Sequence, residues 1–334
     1  MQRMVPGEFV FTHVCPQEGQ CATAKGAHMN DSHISRRGFF GSALGVAAVA
    51  TAGLAACGAN NSSSATQGTA NTPKPVILVT SFGTSYGSSR HITIGAIESD
   101  IREAFSKYDV RRAFTSQTII DHIQKDTGRH IDNFEEAMDK IVAEGVKEVI
   151  VQPTHLTDGY EYNDIASALE KYRSNFSKCG IGAPLLKTKD DQKAIAEAIK
   201  NATKSLEDEH TCVCLMGHGT EAEANGIYTE FQKTLNELGY KNYFVATVEA
   251  SPSFDDAAAA AKQAGYTRAI LRPLMVVAGD HAHNDMADTG NDQSFASVLH
   301  DSGFEVTSIL EGLGQLEAVD ELYVQHAQEA INHL

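Results

Sequence analysis

"FEEAMDKIVAEGVKEVIVQPTHLTDG", residues 134–159, has a counterpart 120 positions further on, "FDDAAAAAKQAGYTRAILRPLMVVAG", residues 254–279. Without a gap, Glu135-Glu136-Ala137 falls on Asp255-Asp256-Ala257, Gly145 on Gly265, Ile150 on Ile270, Pro153 on Pro273 and Gly159 on Gly279. Self-similarity at a fixed offset marks two related halves. In the first copy Asp132 and Glu135 have capping-box spacing. Phe134, Ala137, Met138, Ile141 and Val142 then recur at helical spacing, and Gly145 stops the helix. In the second copy Ser253 with Asp256 opens an Ala-rich helix that stops at Gly265. Each helix feeds a short apolar strand, 148–151 and 269–271.

Outward from this pair, further strands are expected at 76–80, 110–114, 211–216, 243–248 and 306–310, alternating with helical stretches such as 164–176 and 221–238. Strands separated by helices imply right-handed crossovers and parallel sheets. The expected fold is α/β, two Rossmann-like, doubly wound parallel-sheet halves at 76–195 and 196–334. A C-terminal helix, 315–334, is expected to pack back across the boundary.

The N-terminal segment reads differently. Ser35-Arg36-Arg37-Gly38-Phe39-Phe40 is a twin-arginine pattern, followed by an uncharged, mostly apolar run to Ala56 and by Leu54-Ala55-Ala56-Cys57, which resembles a lipobox. Residues 1–57 are therefore expected to be an extension plus a lipoprotein export signal. A membrane-spanning anchor is the alternative, but about 16–18 small residues are short for a ~30 Å core. Met29 fits a start, because 1–28 has neither signal nor core character. Residues 58–75 are a Ser/Thr/Asn/Gly-rich tether. An extracytoplasmic, lipid-anchored protein follows from this reading.

Beyond Cys57 the chain carries 23 Lys and Arg against 40 Asp and Glu, a net charge of −17. Nucleic acid is a poor partner for such a surface. Cys179, Cys212 and Cys214 remain, too few for a cysteine-rich zinc site. Cys212 and Cys214 share one face of a strand and read as buried small apolar residues rather than a disulfide.

Ligands of open α/β sheets bind beyond the carboxyl ends of the strands, and four polar clusters fall there. Ser81-Phe82-Gly83-Thr84-Ser85 follows the first strand; its turn amides suit an anion, but it has neither the P-loop lysine nor the three-glycine nucleotide pattern. Met216-Gly217-His218-Gly219-Thr220 is the equivalent turn in the second half. The third cluster, 153–162, contains His155 and Glu161, and the fourth, 276–288, contains His281 and His283. By the 120-residue offset Glu161 falls on His281. Two imidazoles, His218 and His281, and the Glu161 carboxylate suit a divalent transition metal with open coordination positions. Asp280 is a candidate to orient His281 or to cap a helix; Asn284 and Asp285 suit a helix cap and Asp288 a solvated turn of that helix. His283 is not counted as a ligand.

"VTSFGTSY", "RRAFTS", "VQPTHLTDGYEY", "LMGHG", "LMVVAGDHAHNDMA" and "EGLG" resemble, in order and spacing, the anaerobic CbiK-type cobaltochelatases, from about position 76 to 331. The resemblance implies a class II chelatase of two halves, a tetrapyrrole in the cleft between them, and Co(II) inserted into sirohydrochlorin for corrin synthesis. It implies that His218, His281 and Glu161 hold the metal, and that His218 accepts pyrrole protons. His155, Ser81, Gly83, Thr84 and Arg112 would line the substrate cleft, while Arg90, Arg111, Arg272 and the Gly83 and Gly219 amides would serve the substrate carboxylates. The sequence departs from the family in Tyr160, where an acid is usual, and in His283. Co(II) enters as substrate, Fe and Ni suit the same donors, and no nucleotide is implied. A homo-oligomer is compatible with this reading. The competing reading is an extracytoplasmic lipoprotein that binds metal, haem or another tetrapyrrole for uptake or storage.

Overall fold

The computed structural model describes residues 73–334, and no helix among them is long and apolar enough to cross a membrane. The export signal and nearly all of the tether lie outside the described residues.

The first half runs β1 (Val76–Ser81), α1 (Gly87–Ile92), α2 (Ile94–Ala104), β2 (Asp109–Phe114), α3 (Gln117–Thr127), α4 (Phe134–Ala143), β3 (Glu148–Pro153), α5 (Tyr160–Tyr172), β4 (Lys178–Ile181) and α6 (Lys189–Thr203). The second runs β5 (Thr211–Gly217), α7 (Gly226–Glu237), β6 (Tyr243–Thr247), α8 (Phe254–Gln263), β7 (Arg268–Pro273), α9 (Phe295–Asp301), β8 (Glu305–Ser308) and α10 (Glu317–Asn332). The sheets have orders β2-β1-β3-β4 and β6-β5-β7-β8, all parallel. Each strand order maps onto the other, as the repeat requires. The central strands β1 and β5 are buried along their whole length, which is why they read as unbroken apolar runs.

Local chemistry sets the element ends. The capping box of α4 is Asn133 with Glu136, one residue beyond the Asp132 and Glu135 expected. Asp132 is otherwise engaged: its carbonyl accepts from the Phe114 amide at 3.0 Å, and its carboxylate takes Lys140 Nζ at 2.6 Å. Ser253 and Asp256 do form the capping box of α8. Strand β4, "KCGI", was not expected. It is a short, half-exposed edge strand whose partner, β3, is far away in sequence.

One core cluster joins the halves. Ile77, Val79 and Ile150 of the first sheet share it with Val213, Leu215 and Ile270 of the second, and α6, α7 and α10 fill the space between. Helix α6 spans position 195/196 and packs on α7, and α10 returns to α2, β3 and α6. Tyr323 of α10 is fully buried and donates its hydroxyl to the Thr154 carbonyl at 2.9 Å. Burying each large side chain of this cluster is worth roughly 1.5–3 kcal/mol. Cys212 and Cys214 are free, fully buried thiols.

Candidate metal site at the strand ends of the second half

The turn after β5 presents His218. Gly217 permits close packing, since a Cβ there would collide with the Tyr228 ring. Gly219 has φ +85°, a left-handed conformation that glycine adopts without strain. The ring Nδ1 of His218 lies 2.8 Å from the Gly219 carbonyl. A carbonyl only accepts, so Nδ1 carries the proton and Nε2 keeps a free lone pair.

His281 follows β7 at the start of a short π-turn, Ala282–Met286, a distortion often found at functional sites. Its Nδ1 lies 2.7 Å from Oδ2 of Asp285. That contact again places the proton on Nδ1 and frees Nε2. The orienting carboxylate is thus Asp285, four residues on and one turn away, not Asp280. Asp280 instead accepts from Asn284 Nδ2 at 2.9 Å. Neither Asn284 nor Asp285 caps the next helix, a role taken by Ser294, and Asp288 accepts from the Gly290 amide at 2.8 Å in the intervening turn.

The two imidazoles meet edge to face with ring centroids 4.6 Å apart. A third donor joins them. Glu249, two residues past β6, belongs with His218 and His281 to a set whose ligand atoms all lie within 4.8 Å of one another. Its backbone amide bonds to the His218 carbonyl at 2.9 Å, which fixes the two turns together. Sequence inspection passed over Glu249, although the rule of looking just beyond each strand end applies to β6 as to the others. Two imidazoles and one carboxylate, all partly exposed, are a set of three donors that could hold a first-row divalent metal.

Glu161 is not a member of that set. It stands at the first turn of α5 in the other half and lines a cavity of about 280 Å³ with Phe82, Phe114, Thr115 and Phe134. His155 is half-buried with both ring nitrogens shielded and unpartnered; burial pushes its pKa down to about 4 against the opposing pull of Glu161, so the ring is neutral. Ser81 is buried and its Oγ accepts from Thr154 Oγ1 at 2.8 Å, tying β1 to β3. Thr84 is buried beside the second half: a Cβ on Gly279 would lie 3.3 Å from Thr84 Oγ1. His283 is fixed by the Gly279 carbonyl at 2.9 Å and stacks on Tyr86 of the first half at 4.6 Å. The strand ends of the two halves therefore face each other.

The arginines are largely committed elsewhere. Arg112 gives Nε and Nη2 to Glu98 at 2.5 and 2.7 Å, and Arg111 pairs with Asp109 and Glu144. Arg90 braces the Thr84 carbonyl at 2.7 Å. Arg272 is buried, touches Glu311 at 3.4 Å, and has Nε and Nη2 unpartnered.

Two parallel four-stranded halves with a metal-donor set at their facing strand ends define a chelatase-type architecture. SirB from Bacillus subtilis with Fe3+ shares the fold, with a TM-score of 0.54, 14% identity and coverage of 78% of this chain and 97% of that one. A family model described as cobalt chelatase (CbiK) matches residues 75–332, and the chain belongs to that family. The sirohydrochlorin cobaltochelatase of Salmonella typhimurium is 33% identical over 78% of this chain and 97% of its own. The sirohydrochlorin cobaltochelatase CbiKC of Nitratidesulfovibrio vulgaris is 28% identical over 78% and 92%.

Proposed function

We propose that the protein is a sirohydrochlorin cobaltochelatase, inserting Co(II) into the macrocycle with release of two pyrrole protons. The convergence of His218, His281 and Glu249 carries this reading. The two relatives named for this reaction support it over more than nine-tenths of their own lengths.

In this mechanism Nε2 of His218, Nε2 of His281 and a Glu249 oxygen hold Co(II) at the cleft. Neutral nitrogen donors and a single carboxylate bind the metal without the grip of thiolates, so it can be handed on. As each metal–nitrogen bond lengthens, an imidazole lone pair is released that can accept one pyrrole proton; His218 is assigned the first of these transfers. Two imidazoles match two protons. Glu161, carried by the opposing half, lines the cavity there and is assigned to the insertion step rather than to holding the metal. Fe(II) and Ni(II) suit the same donors, and the protein is assigned to Co(II) through its relatives.

The export reading is part of the proposal. The twin-arginine pattern at Arg36-Arg37 and the cysteine at Cys57 support a lipid-anchored protein working outside the cytoplasm. Fractionation tests it: lipidated protein in the membrane fraction, lost on Arg36→Lys/Arg37→Lys substitution, is expected. Unlipidated protein in the cytoplasm contradicts it. The catalytic reading is tested by the macrocycle's absorbance change on mixing the purified protein with sirohydrochlorin and Co(II). Acceleration over the protein-free rate is expected; tight binding with no acceleration would favour a storage or uptake lipoprotein.

A further inference from the structure

The strand-end turns of the two halves follow one backbone template, but the residues on it differ. Gly83 and Gly219 both have positive φ, +101° and +85°. The Thr115 amide bonds to the Ser81 carbonyl as Val248 does to Gly217, and Ser116 bonds to Phe82 as Glu249 does to His218. The Thr154 amide bonds to the Thr80 carbonyl as Leu274 does to Met216. Phe82 therefore occupies the place of His218, Ser116 that of Glu249, and Glu161 that of His281. One half has three metal donors at these places, and the other keeps one.

Phe82 is also 49% exposed, unusual for so large an apolar side chain at a facing strand end. Its ring and those of Phe114 and Phe134 line the 280 Å³ cavity, whose remaining walls include Glu135, Glu161 and Asp164. Three carboxylates repel the acidic rim of a polycarboxylate substrate. They leave the apolar centre of its ring system as the part this surface suits. A metal enters a planar macrocycle from one face, and a donor on the opposite face would hold the product in place. Phenylalanine offers stacking area and no lone pair.

We propose that the halves divide the two substrates: Phe82 is the positioning residue on which the tetrapyrrole plane rests, and the second half holds the metal. The assignment rests on the reading of His218, His281 and Glu249 as donors.

The test is a pair of equilibrium titrations on the full chain, one with metal-free sirohydrochlorin followed by absorbance and one with Co(II) alone. Phe82→Ala is expected to weaken macrocycle binding about tenfold, the scale of one lost aromatic stacking contact, with Co(II) affinity within twofold of wild type. His218→Ala is expected to do the reverse. Phe82→Leu keeps apolar bulk, should fall between, and carries the comparison if the alanine variant does not fold. Wild-type macrocycle affinity in Phe82→Ala, or loss of Co(II) binding in it, overturns the proposal, as does failure of the wild type to bind the macrocycle. If the wild type binds both substrates without turnover, the chelatase reading fails while the division of substrates stands.

Discussion

Asp285 Oδ2 lies 2.7 Å from His281 Nδ1, one turn away on the distorted helix that follows β7. The carboxylate fixes the tautomer and leaves Nε2 unprotonated on a ring that packs edge to face against His218. Removing such an orienting charge typically costs ten- to a hundredfold in metal affinity. Asp285→Asn is therefore expected to weaken Co(II) binding at least about tenfold, measured by equilibrium titration. Asp280→Asn, which loses only a bond to Asn284, should stay near wild type; the opposite ranking would return the orienting role to Asp280.

The donor set makes a sharper comparison. Glu249→Gln should reduce Co(II) affinity by about tenfold or more, because a neutral amide replaces a charged donor. Glu161→Gln should leave equilibrium Co(II) binding close to wild type and slow insertion. Direct metal titration beside single-turnover insertion separates the two. Equal loss of Co(II) affinity in both variants would place Glu161 among the resting ligands.

His283 is expected to be dispensable for metal. Its Nδ1 is engaged by Gly279 and its face by Tyr86, and it is not in the donor set. His283→Ala should retain Co(II) affinity while losing a stack worth about 0.5–1.5 kcal/mol between the halves. A thermal shift with unchanged Co(II) titration checks this, and a collapse of metal affinity would count against it.

Much of this arrangement was legible in the sequence. The gap-free repeat at 120 residues predicts both sheets, and the glycines flanking His218 place an imidazole on a tight turn. The pairing of Glu161 with His281 across the repeat is real as an equivalence of position, yet equivalent positions in two facing halves need not converge on one point. Glu249 lies just beyond β6, where strand-end residues are worth inspecting, but a lone glutamate there carries no motif, and only the fold brings its carboxylate beside His218 and His281. Adjacency in sequence makes Asp280 a candidate to orient His281 and leaves Asp285 as a helix cap, whereas a helical turn brings residue i+4, Asp285, to the ring. Strand β4 has no pattern of its own and is made by its neighbour.

Asp320 gives the fold a pH dependence. It is buried at 5% exposure on α10 with Oδ1 unpartnered, and burial, reinforced by Asp100 and Glu317, pushes its pKa up to about 8. In the unfolded chain an aspartate titrates near ~3.9. The folded state therefore keeps a proton that the unfolded state releases, and the stability it contributes is complete below that lower value and lost as pH rises through about 8. Asp320→Asn stays neutral in both states. Its Tm should match wild type near pH 4 and exceed it at pH 9 by about 5 °C, the scale of one to two kcal/mol in a protein of this size. A Tm difference that does not change with pH would contradict the assignment.

The central claim is that metal held by His218 and His281 passes into the macrocycle. Its most direct test is the rate of Co(II) insertion into sirohydrochlorin by wild type, His218→Ala and His281→Ala, each checked for native circular dichroism. The expected result is a wild-type rate well above the protein-free reaction, with both variants folded and reduced to the protein-free rate. Wild-type insertion rates in either folded variant would contradict it.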